Sequence, residues 1–274
     1  MADVGDVDEE SGRAALGRAL RYLREKSGRS LGRLAEETRY DKSYLYRLEM
    51  GQRLSKLAVM EDLDRHYESG GLLVQLWKVA RREVFKDKYK EFMRLENLAR
   101  IMWKFQLAVP GLLQTEEYAR EVLSAALAAN GNTEWVEEQV AARMSRQEIL
   151  HRNPAPQVRV ILDEGALRRQ TTDPKVWTDQ LTHLIEVAEL PSVTLQVLPF
   201  SAGVHGLMGS HLSVLWQPDG SSVAYVEGNE FGELIDDPDK VTDYRLSYDR
   251  VRDLALSPSD SLAFIRGVLE EHRS

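Results

Sequence analysis

Lys42, Ser43, Tyr46 and Arg47 fall within DKSYLYRLEMG, residues 41–51, at spacings that gather them on one side of a short helix. Two cations, a hydroxyl and a phenol so placed can donate hydrogen bonds to guanine acceptors or to phosphate oxygens. Leu45 and Leu48 supply the opposite, inward side. Tyr44, together with Arg29, Ser30 and Arg53 outside the helix, adds candidates for gripping a phosphate backbone. Polar helix faces are usually only solvated, so the chemistry depends on what holds this one in place.

The elements that would hold it crowd into the first 68 residues. Leu16, Leu20 and Leu23 predict a first helix ending at Gly28, and Ser30 caps a second that buries Leu34 and Ala35. Asp41 caps the third, which stops at Gly51, and a fourth starts after Ser55 with Leu57, Met60 and Leu63. Two short helices joined by a tight turn, the second capped by Asp41, suit the major groove. That groove is about 12 Å wide and is read by residues near a helix N-terminus.

Charge is distributed accordingly. The chain of 274 residues has a formal net charge of −8, but Ser11–Glu68 carries 13 Lys and Arg against 9 Asp and Glu. Local fields govern phosphate binding, so the basic segment matters more than the total. The acidic remainder would repel DNA and points to another kind of partner. MADVGDVDEESG (1–12) lacks the basic and apolar regions of a signal peptide and reads as a disordered acidic tail. The absence of cysteine excludes disulfides and thiolate metal sites and fits a cytoplasmic protein, nucleoid-associated when bound to DNA.

Gly70-Gly71 marks a domain boundary, followed by a long amphipathic helix through Leu73, Leu76, Trp77, Ala80, Val84 and Phe85. The expected division is therefore a tail (1–12), a helix-turn-helix domain (13–70), a connecting helix (71–98) and a larger domain (99–274). In that last part IMWKFQLAVPGLLQT contains a short strand and a Pro-Gly turn, and VRVILD, VTLQVLPF, HLSVLWQ and SVAYVEG read as strands, with Pro218-Asp219-Gly220 turning between the last two. Helices are expected after Thr115, from Trp135 to Leu150, and from Pro174, Pro238 and Pro258. Three strands cluster in sequence. The fold class is α+β: an all-α N-terminal domain, then a mixed domain, not a doubly wound sheet.

These residues resemble a known family. Leu23-Arg24, Gly28-Arg29-Ser30, Leu34-Ala35 and the run from Asp41 to Gly51 match, over about 50 residues, the lambda-repressor-like helix-turn-helix group. The resemblance implies that Arg24 pairs with Glu49 and ties the reading helix to its scaffold. Leu31 stands where the family has a phosphate-gripping glutamine. Arg39 stands at its turn glycine, where a left-handed backbone costs on the order of 1–2 kcal/mol, so an altered turn is expected. Gly32 inside the second helix costs a further ~1 kcal/mol relative to alanine.

The second half resembles the C-terminal domain of actinobacterial WhiJ-like regulators through VPGLLQTEEYAREVL, RQEIL, ILDEGALRR, VTLQVLPFSAGVHG and VAYVEG, from about Ala99 onward. That resemblance implies a regulator working with a small BldB-like partner protein. An enzyme would have to use Asp163, Glu164, Glu227, His205 or His211, and no HExxH, Walker, GxGxxG or GxSxG pattern supports one. A sensor would use the Ser201–Ser210 loop as a lid with Trp216 or Tyr225 beneath it; these aromatics read more simply as core. The expected protein is a dimeric, double-stranded-DNA-binding regulator with no catalytic residues, cofactor or metal.

Overall fold

Ser11 begins the described structure by capping a helix, its side chain accepting a hydrogen bond from the Ala14 N–H at 3.2 Å. The computed structural model describes residues 11–127, 133–228 and 231–273, so the tail expected over 1–12 lies outside it up to residue 10. Two units divide between Tyr89 and Lys90, and each is taken by itself.

The first unit contains α1 (Gly12–Lys26), α2 (Leu31–Thr38), α3 (Lys42–Glu49), α4 (Leu57–Tyr67) and the first part of α5 (Leu72–Leu98). Ser30 and Asp41 cap as expected, accepting from Arg33 N at 3.2 Å and from Tyr44 N at 2.9 Å. Each satisfies one of the backbone donors that a helix start leaves without an intrahelical partner. Leu16, Leu20, Leu48, Met60, Leu63, Leu73 and Trp77 form the core. Leu73 and Trp77 come from α5, so Gly70-Gly71 is a turn inside this unit and not the boundary between units. The turn is fastened by buried Asp64, whose carboxylate accepts from Leu73 N at 3.0 Å and Val74 N at 2.9 Å, capping α5. Trp77 Nε1 donates to the Ser55 carbonyl at 2.8 Å. The fourth helix starts after Lys56, which makes no side-chain cap.

The second unit is built on a six-stranded sheet in the order β3-β2-β1-β4-β5-β6. Its strands are β1 (Ile101–Gln106), β2 (Gln157–Asp163), β3 (Val193–Leu198), β4 (His211–Trp216), β5 (Ser222–Gly228) and β6 (Phe231–Ile235). β1, β2 and β3 are parallel, whereas β4 pairs antiparallel with β1, and β5 and β6 continue antiparallel. The mixed α+β class therefore holds. Adjacency differs from sequence order: β3, followed in sequence by β4 and β5, lies at the far parallel edge. Crossovers place α6 (Glu116–Leu127) and α7 (Thr133–Arg146) between β1 and β2, and α8 (Glu164–Arg168) and α9 (Pro174–Ala188) between β2 and β3. α10 (Pro238–Leu254) and α11 (Pro258–Arg273) close the unit. The helical pattern read to Leu150 is α7 followed by a 3-10 turn over Gln147–His151.

Beneath the sheet lies an ion triad. Glu96 of α5, fully buried, is held by Lys104 of β1 at 2.6 Å and by Arg146 of α7. Burial pushes the Glu96 carboxyl up, but the Lys104 and Arg146 charges outweigh it and hold the group down at about 2. Lys104 also donates to Ser213 Oγ at 3.1 Å, satisfying a second of its three donors.

Candidate nucleic-acid interface

α3 is an eight-residue helix with its N-terminal end open and its flank fixed. Leu45 and Leu48 are each only 2% exposed, so they point inward. Lys42, Ser43, Tyr46 and Arg47 are all exposed. Among the described residues, their side chains make no hydrogen bond or ion pair within the protein. Tyr44 is half-buried: the Arg53 guanidinium lies 5.1 Å from its ring centroid, and the tilted Tyr40 ring lies 6.1 Å away. Tyr40 in turn donates its hydroxyl to Asp62 at 2.7 Å, tying the α2–α3 turn to α4. Burial, with that hydrogen bond second, pushes the Tyr40 phenol up to about 12.

The inferred pair between α1 and α3 is present and bidentate. Arg24 Nε donates to Glu49 Oε1 at 2.6 Å and Nη2 to Oε2 at 2.9 Å. Nη1 donates to the Arg29 carbonyl at 3.1 Å, so one guanidinium holds α1, the turn into α2 and the end of α3. The Glu49 hydrogen bond raises the Arg24 pKa despite the opposing effect of burial. Fork-to-fork geometry of this kind adds orientation as well as energy. Gly17 permits the close approach: a Cβ there would meet the Glu49 carbonyl oxygen at 2.5 Å. Sequence reading missed Gly17, although a glycine in mid-helix with no propensity to justify it is a signal of close packing.

The phosphate candidates are placed differently from one another. Ser30 is occupied as the α2 cap. Arg29 Nε donates to Glu37 at 2.6 Å, and Arg33 Nε reaches the same carboxylate at 2.9 Å. The two guanidiniums, Arg33 first, hold the Glu37 carboxyl below its ordinary value. Glu37 therefore offsets part of the basic charge on this flank. Arg39 corrects the expectation of an altered turn, because it adopts φ 60 and ψ 19, the same left-handed conformation a glycine would supply. Thr38 and Tyr40 on either side are fixed, by the Leu34 carbonyl and by Asp62, so the neighbours impose the strained conformation.

In the second unit four of the candidate acid–base groups, Asp163, Glu164, His205 and His211, serve as local braces. Asp163 caps α8 by accepting from Gly165 N at 2.8 Å, and Glu164 accepts from Phe200 N at 2.8 Å while pairing with Arg168 at 3.2 Å. His205 accepts from Leu207 N at 3.3 Å with its ring edge-on to Phe105, and His211 accepts from Leu107 N at 3.3 Å. Burial, with the Lys104 charge second, lowers the His211 pKa, and burial raises that of Glu227, its neighbour in register across β4 and β5. Tyr225 is buried against Phe92 at 4.2 Å, and Trp216 packs on Trp103 at 4.6 Å. The Ser201–Ser210 loop is pinned by buried Leu207. An open groove of about 820 Å³ lies between the end of α5 and α7. Its three lining arginines are already engaged: Arg94 with Glu91, Arg146 with Glu96, and Arg152 with the carbonyls of Asn97 and Ala99.

The first unit is a helix-turn-helix DNA-binding domain of the kind used in transcription regulation, and residues 15–77 match a family model described as a helix-turn-helix domain. Residues 89–267 match a second model, and by that match the chain belongs to the family described as a domain of unknown function (DUF5753). No curated protein and no solved structure matches the chain. No helix among the described residues is long and apolar enough to cross a membrane.

The Arg24–Glu49 side chains are only 13% and 6% exposed, so removing one partner strands a charge. Glu49→Gln and Arg24→Met are each expected to cost about 3–5 kcal/mol in urea unfolding, and the double Arg24→Met/Glu49→Met variant to recover most of it. A single-variant loss of about 0.5 kcal/mol, typical of an exposed pair, would show that the contact is not a clamp.

Proposed function

We propose that the chain is a sequence-specific transcription regulator in which α3 enters the major groove and reads base edges through Lys42, Ser43, Tyr46 and Arg47. The observation that carries this reading is a face of four donors that have no intramolecular partner among the described residues, on a helix fixed by Arg24–Glu49 and by Tyr40–Asp62. A helix whose donors are unspent and whose backbone is immobilised loses little freedom when it binds. Arg53 and Tyr44 flank the face as phosphate contacts. Arg29 contributes through the donors its Glu37 pairing leaves over, and Ser30 through the exposed start of α2.

One such helix covers a single half-site, so the regulator acts as a homodimer on a two-fold site with half-sites one helical turn, or a multiple, apart. The second unit, with its acidic balance, recognises a protein: a small BldB-like partner is the reading its family resemblance supports. An enzymatic role has little support, since Asp163, Glu164, His205 and His211 each accept a hydrogen bond from a backbone N–H.

The DNA reading is tested on an operator recovered from genome-wide mapping. Arg47→Ala should weaken binding by about 1–3 kcal/mol and relax the preference at one base position in each half-site. Affinity should also fall steeply with added salt. Unchanged affinity and preference would remove α3 from the groove. The partner reading is tested by titrating a purified BldB-like protein encoded near the gene into the full chain. A stoichiometric complex by calorimetry is expected, and no heat and no co-elution would reject it.

A further inference from the structure

The two edges of the sheet are finished differently. At β3 the outer side is sealed from within the chain. Val197 N–H donates to Ser261 Oγ at 2.9 Å, and its carbonyl accepts from Leu256 N at 2.9 Å. Gln196 Nε2 adds a bond to the Leu256 carbonyl at 2.8 Å. The junction between α10 and α11 thus closes that edge. β6 is paired along its inner side only, from Gly228↔Phe231 to Ala224↔Ile235. Among the described residues no hydrogen bond reaches its outer side, which leaves a row of backbone donors and acceptors facing outward.

The chemistry of this edge is one-sided. From Glu227 to Asp239 the sequence carries six acidic residues and no basic one. Glu233, Asp236, Asp237 and Asp239 are exposed. Phe231 opens the strand 42% exposed, with its ring lying against Gly228, where any Cβ would collide with it. An apolar platform followed by carboxylates, beside unpaired backbone, is a surface for strand addition.

We propose that the outer edge of β6 is a docking site for an extended, basic segment of another polypeptide, which adds to the sheet as a seventh strand. Charge selects this occupant over the two nearer ones. A second copy pairing antiparallel about the strand centre would set Glu233 against its own equivalent, and like charges directly opposite are destabilising. Residues 1–10 of this chain carry five acids and no base, so the same repulsion excludes them. Phe231 and Glu233 share one face of β6, so a strand with lysine or arginine at alternate positions on that face meets the carboxylate and lays its side-chain methylenes along the Phe231 ring. This deepens the partner reading above by naming the surface, and DNA binding by the first unit does not depend on it.

The test is hydrogen exchange followed by mass spectrometry on the full chain, with an acetylated (Lys-Val)4 amide as the probe. The outward amides of residues 231–235 should slow by roughly tenfold once the peptide reaches about ten times its Kd. The same peptide N-methylated along one edge should have no effect, because it cannot complete the ladder. In the Glu233→Lys/Asp236→Lys variant the preference should pass to a (Glu-Val)4 peptide. The proposal is overturned if 231–235 show no slowing at millimolar probe, or equal slowing with both peptides. The latter would mean that the acids only blunt the edge. Concentration-dependent protection without peptide would also overturn it, in favour of a second copy. Binding of operator DNA, followed in the same samples, reports separately on the first unit.

Discussion

The carboxylate of Glu49 is where three segments of the first unit are brought into register. Arg24 reaches it with two donors and spends a third on the Arg29 carbonyl, so α1, the α1–α2 turn and α3 share a single guanidinium. Gly17 makes this possible, since any side chain there would push α3 away from α1. The direction in which Lys42, Ser43, Tyr46 and Arg47 project follows from that contact. Leu45 and Leu48 keep the helix on the core, but apolar burial alone would tolerate small rotations about the helix axis. The bidentate pair adds the angular constraint that a reading surface requires.

Much of this region was legible in the sequence because its signals are local. Ser30 and Asp41 announce helix starts through chemistry that acts over three residues, and Gly28 and Gly51 both take positive φ beyond helix ends. The Arg24–Glu49 pair spans 25 residues and was accessible only through family resemblance. Arg39 shows the limit of that route. The family's glycine suggested an altered turn, yet the left-handed conformation is kept, because Thr38 and Tyr40 are each tied down beside it. Glu37, which draws Arg29 and Arg33 together, carries no sequence signal that separates it from an ordinary surface acid.

The second unit was legible as a class and less so as a topology. Strand runs in β1 to β5 were plain, but pairing depends on crossovers, and nothing local says that β3 belongs beside β2 at the far edge. β6 was not read at all: Gly232 and Glu233 break its alternation, and β5 supplies the pairing that makes it a strand. Glu96 looks like one more polar position on a long helix, whereas it is fully buried between Lys104 and Arg146. A buried charge of this sort is held by partners on other elements, Lys104 in β1 and Arg146 in α7, and the helical pattern around Glu96 carries no trace of that pairing.

The central claim is that α3 reads sequence, and the most direct measurement is selection of bound duplexes from a randomised pool by the full-length wild type and by Tyr46→Gln. The account predicts a two-fold-related motif for the wild type. For the variant it predicts a motif altered at a single position in each half-site, with the other positions unchanged. Enrichment of no motif by the wild type, or of an identical motif by both proteins, would contradict it.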